Sequence, residues 1–139
     1  MYKRYILLLF TFLILTVSCD EDDWTYEEYL VNQYWEVDLL EYSYSMEPEP
    51  LFSVFYFAWD QYGLEERLFQ FDGAFYDRKE FDWYWSPYDR DVLVLDYFHS
   101  ISFIRVRYMS RSRMEGYYYQ DEFDFERGRG IPILLERLR

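Results

Sequence analysis

The chain has 139 residues, a net charge of −13 and an aromatic content of 25% that includes 17 Tyr. The excess of acid excludes a nucleic-acid-binding surface and a polybasic grip on anionic lipid, since both need clustered Lys and Arg. The aromatic content argues against a disordered chain, and the length suits one domain with a sizeable core.

Lys3 and Arg4 precede a run from Ile6 to Val17 that is apolar apart from Thr11 and Thr16. A membrane span needs roughly 20 residues, so this run is short for one. It has the length of a signal-peptide core behind a basic start. Ser18 and Cys19 follow, and the stretch "LTVSC" resembles the lipobox of bacterial lipoproteins. That resemblance implies cleavage before Cys19, lipid on Cys19, and a membrane partner reached through that lipid. Residues 1–18 are then the signal peptide and residues 19–24 an acidic tether. Cleavage takes Lys3 and Arg4 from the 14 basic residues and none of the 27 acids, which leaves a net charge of −15.

Cys19 is the only cysteine, so the sequence supports neither an intramolecular disulfide nor a cysteine-based metal cluster. Asp20 to Asp23 form a solvated acidic run. An Asp directly after a lipidated cysteine resembles an inner-membrane retention signal in some Gram-negative bacteria. An acidic cluster there resembles a surface-export signal in others, and the run of four acids favours the second. The expected address is the bacterial cell envelope, outer membrane and surface-exposed.

"TYEE" fits a capping box with Thr25 as N-cap and Glu28 three residues on, and predicts a helix over 26–32. From Tyr34 the period changes to two, with Trp35, Val37 and Leu39 on one face. "MEPEP" interrupts the chain, because proline cannot continue a ladder. "LFSVFYFAWD" is an apolar strand with Leu51, Phe55, Phe57 and Trp59 on one side. "QYGLEE" reads as a turn and "RLFQF" as a strand. Asp72-Gly73 is a hairpin signal, with "AFYDR" as the return strand. "EFDWYWS", "VLVLDYF", "SISFIRVRYMS", "RMEGYYYQ", "DEFDF" and "IPILLERLR" read as further strands. The fold class is all-β: an antiparallel up-and-down barrel of about eight strands over 25–139, behind one short helix.

Four stretches carry a second resemblance, to the small lipocalin-like, calycin-type domains of bacterial lipoproteins. They are "NQYWEVDLLE", "LFQFDG", "FDWYWSPYDRDVLVLDY" and "ILLERL". The resemblance implies that Trp35 and Arg137 close the barrel base by cation–π stacking and hydrogen bonds. It also implies a non-catalytic role in binding a small apolar ligand or, in a plugged barrel, a protein partner. A basic protein would suit the acidic surface.

Trp59, Trp83, Trp85 and Phe57 are the candidate ligand-binding residues, as the wall of an apolar pocket. The alternative is a surface glycan-binding β-sandwich in which exposed Trp59, Trp83 and Trp85 stack on sugar. The simplest role for these rings is core, since an eight-stranded barrel is just wide enough to be filled by side chains or to hold one small ligand. Tyr117, Tyr118 and Tyr119 are consecutive, so a strand there puts Tyr on both faces.

Enzyme parts are scarce. His99 is the only histidine and falls in an expected turn, and the sequence has no Gly-rich phosphate loop and no HExxH. Paired acids such as Glu65 with Glu66, or Glu122 with Asp124, suit a solvated strand face better than glycosidase chemistry. The Asp121–Glu126 run lacks EF-hand spacing for calcium. No catalytic residue, no metal and no cofactor is expected.

Overall fold

The computed structural model describes residues 25–38, 51–69 and 71–139. The lipobox, Cys19, the acidic tether and the "MEPEP" break lie outside them. Helix α1 (Thr25–Leu30) leads into eight strands: β1 (Tyr34–Asp38), β2 (Leu51–Phe57), β3 (Tyr62–Phe69), β4 (Phe75–Trp85), β5 (Val92–Asp96), β6 (Ile101–Met109), β7 (Arg113–Tyr119) and β8 (Ile131–Arg137). Each pairs antiparallel with the next, and β8 pairs with β1, so the sheet closes as an up-and-down barrel. Closure removes the unpaired edges that an open sheet would expose.

Three segments differ from expectation. "QYGLEE" is not a turn: Gln61, with φ of 67°, ends the turn, and Tyr62 to Glu66 already belong to β3. "AFYDR" and "EFDWYWS" are one strand of 11 residues, because Arg78, Lys79 and Glu80 continue the ladder with β3. "DEFDF" is not a strand but a single-turn helix, α2 (Glu122–Glu126). Its alternation of acid and Phe mimics a strand. Asp121 decides the matter by accepting a hydrogen bond from the Asp124 backbone N at 2.8 Å, an N-cap that satisfies an otherwise orphaned donor. Phe125 then folds back on the outer face of β6 and β7, against Phe103 and Tyr119.

The period of two sorts each strand into an inner and an outer face. The inner faces are graded along the barrel axis. At one end Trp35, Phe57, Trp83, Leu93, Met114 and Leu135 form a solid apolar plug. Leu30 and Val31 from the end of α1 cover it. The Trp35 indole N donates to the Leu30 carbonyl at 3.0 Å, and the Asn32 backbone N donates to the Phe57 carbonyl at 2.7 Å. Asn32 has φ of 54°, a left-handed residue that stops the helix and turns the chain into β1.

Gly63 sits opposite Phe81 in the β3–β4 ladder. A Cβ there would lie 2.0 Å from the Phe81 ring, so glycine is what lets that ring lie across the strand. The ring contacts Phe55 and Phe57 edge-on and completes the upper layer of the plug.

Candidate functional site

Beyond that layer the inner faces turn polar. Counting up β4 from the plug, Trp83 and Phe81 are succeeded by Lys79 and Asp77 on the same face. Counting along β3, Gly63 is succeeded by Glu65 and Arg67. Glu65, Arg67, Lys79 and their neighbours surround a cavity of about 740 Å³ at the end of the barrel away from α1. That volume is in the range of small-molecule pockets. Val37, Phe55, Ile104 and Ile133 give it an apolar floor. Glu65, Arg67, Lys79, Tyr97, Ser102 and Tyr118 are prominent in its polar wall. The barrel is therefore plugged at one end and cupped at the other.

The wall is ordered by hydrogen bonds. Ser53 Oγ donates to Glu65 Oε1 at 2.6 Å, and the Tyr97 hydroxyl donates to Glu65 Oε2 at 2.8 Å. Across the cup, the Tyr118 hydroxyl donates to Ser102 Oγ at 3.0 Å, which donates to the Gln120 carbonyl at 2.9 Å. Arg67 is engaged by Asp77 opposite it in the ladder. That hydrogen bond, against the cost of partial burial, raises the arginine's pKa further. Burial first, and then the charge of Glu65, push the Tyr97 phenol well above its ordinary value of 10.0. Burial raises Tyr118 as well, although its hydrogen bond to Ser102 opposes the shift.

None of the four candidate ligand-binding aromatics lines this cavity. Phe57 is fully buried in the plug. Trp83 is 1% exposed, and its indole N is shared between the carbonyls of Ala58 at 3.0 Å and Tyr62 at 3.1 Å. Trp85 is half-buried at the same end, beside Tyr26. Trp59 is 58% exposed in the β2–β3 turn, also at the plugged end. The inward face of β4 carries Trp83 and Trp85, as its alternation requires, but the last turn of that strand lies beside α1, far from the open end. The same placement corrects the sugar-platform alternative, because Trp83 is enclosed and the three Trp rings form no exposed row.

Trp35 and Arg137 are directly paired in the β1–β8 ladder. The cation–π contacts among the described residues do not include this pair. The Arg137 guanidinium is exposed and donates from Nη1 to the Arg111 carbonyl at 3.4 Å. Arg111 itself stacks over Tyr29 of α1. His99 is exposed in the β5–β6 loop with its ring edge against Phe98. Of the three consecutive tyrosines, Tyr118 enters the cup, Tyr117 faces outward under Arg107, and Tyr119 is covered by Phe125. Among the described residues no group of three or more His, Cys, Asp or Glu is placed to hold a metal.

Sequence reasoning missed the cup residues because charges on a strand read as its solvated face. A signal was nevertheless present. Extending the Trp83–Phe81 face by two and then four positions reaches Lys79 and Asp77, and a closed barrel must turn them inward. Compared with known proteins, the chain matches no family model, no curated protein and no solved structure.

Proposed function

We propose that this chain is a non-catalytic binding protein of the bacterial cell envelope, held to the membrane by lipid on Cys19, whose barrel takes a small ligand in its open cup. The observation that carries this reading is the cup itself: an apolar floor and an ordered polar wall at one end of a barrel whose other end is solid. Packing alone would fill the barrel with side chains along its whole length. Instead the polar wall shows buried hydroxyls and a carboxylate ordered toward a space of ligand size. The floor favours an apolar body, and the wall favours a ligand with a polar end. The acidic run after Cys19, which resembles a surface-export signal, supports localisation at the outer membrane surface.

Two experiments test it. The purified protein is titrated with octanol, octylammonium and octanoate, beside an Ile104→Trp variant that fills the floor. At least one octyl compound is expected to bind, and the variant is expected to lose that binding. Indifference to all three, or undiminished binding in the variant, contradicts the cup. For the anchor, Cys19→Ala is expected to move the protein from the membrane fraction to the soluble fraction. Full retention on membranes contradicts lipidation.

A further inference from the structure

The charges of the cup are unevenly matched. Arg67 is held by Asp77, and the charge of Glu65 acts on it only at longer range. Lys79 stands opposite Glu65 in the ladder but is exposed and solvated. Glu65 is 8% exposed. Each of its oxygens holds one hydroxyl donor, yet among the described residues no Lys, Arg or His lies within 4.0 Å of them. A buried carboxylate is among the costliest groups a core can hold, and neutral hydroxyls relieve that cost only in part. A carboxylate offers about four lone-pair sites, and Ser53 and Tyr97 occupy two. Glu65 lines the cavity, so a ligand group can reach the remaining ones.

We propose that the cup takes an amphiphilic cation, an ammonium-type head on an apolar body, with Glu65 as its counter-ion. This rests on the cup being a ligand site. Ser53 and Tyr97 hold the carboxylate in position, and Val37, Phe55, Ile104 and Ile133 receive the apolar body. An anionic head on Lys79 is the competing arrangement. It relieves no cost, since Lys79 is already in water, and it brings a second negative charge toward Glu65. The net charge of −13 also concentrates cations and repels anions at the cup mouth.

The octyl series separates the two ideas. Octylammonium is expected to bind at least about tenfold tighter than octanol, and octanoate weakest, since a charge-assisted contact exceeds a neutral one by that order. Glu65→Gln, which keeps the shape and changes the net charge by one, is expected to bring octylammonium down to the level of octanol. Tyr97→Phe is expected to narrow the amine preference without abolishing it. Equal binding of the three compounds, or octanoate binding tightest, overturns the cationic assignment while the cup remains a ligand site. Binding of none overturns both. The wild-type comparison alone decides the head group, so the test survives a variant that fails to fold.

Discussion

Trp35 on β1 and Arg137 on β8 stand directly opposite each other in the ladder that closes the barrel, yet only the tryptophan is buried. The indole is fixed by the Leu30 carbonyl and covered by the end of α1. The guanidinium is exposed and donates to the Arg111 carbonyl. The plug is thus made by apolar burial under a helix.

The two residues should therefore separate sharply in stability. Trp35→Ala is expected to cost about 3–5 kcal/mol, as for other buried aromatics. Arg137→Ala is expected to cost less than about 1 kcal/mol, as for an exposed contact. Urea denaturation of both variants checks the difference.

The seam carries a second, less favourable pair. Glu36 and Glu136 face each other one position along the same ladder, both exposed. Like charges directly opposite weaken a strand pair by roughly 0.2–1 kcal/mol. Glu36→Lys is expected to raise the melting temperature by that stabilisation in low salt, and the gain should shrink in high salt as screening grows. A variant no more stable than the wild type in low salt would show that the pair does not repel.

Gly63 and Phe81 are coupled through space. Gly63→Ala places a methyl group inside the Phe81 ring position and is expected to cost about 1–3 kcal/mol. In a Phe81→Leu background the same change should cost much less, because the obstructing ring is gone. A double-mutant cycle measures the coupling, and strict additivity would contradict the contact.

Alkaline stability follows from the cup tyrosines. Tyr97 and Tyr118 both hold their protons more tightly folded than unfolded. Below pH 10 the phenols are protonated in both states, and the stability is fully present. Above the ordinary value of 10.0 the unfolded chain loses these protons first, so stability falls as pH rises toward the folded values. Each tyrosine contributes a slope of up to about 1.4 kcal/mol per pH unit. Tyr97→Phe is expected to flatten the decline in a denaturation series between pH 9 and 12.

Much of the fold was legible in residues of strong period. Trp35 with Val37 announced one inner face, and "VLVL" announced the strand β5, which the structure buries on both sides. The hairpin at Asp72-Gly73 was equally plain: the Gly73 backbone N donates to the Phe69 carbonyl, with φ of 67° at Gly73. "DEFDF" misled because one helical turn is too short to show its own period, and only the cap at Asp121 distinguishes it. The cup was hidden for a different reason. Ser53 and Glu65 become interior, and Lys79 comes to the cup rim, only when β8 meets β1, and no local pattern encodes that closure. The aromatic count drew attention to Trp59, Trp83 and Trp85, but large rings fill space, and the space left open is where the polar side chains are.

The measurement that bears most directly on the cup is a methyl NMR titration of the protein with octylammonium. The methyl groups of Val37, Ile104 and Ile133 line the floor, while those of Leu30, Leu93 and Leu135 belong to the plug. Saturable shifts are expected in the first set and silence in the second. Shifts confined to surface methyl groups, or none at all, would contradict the cup.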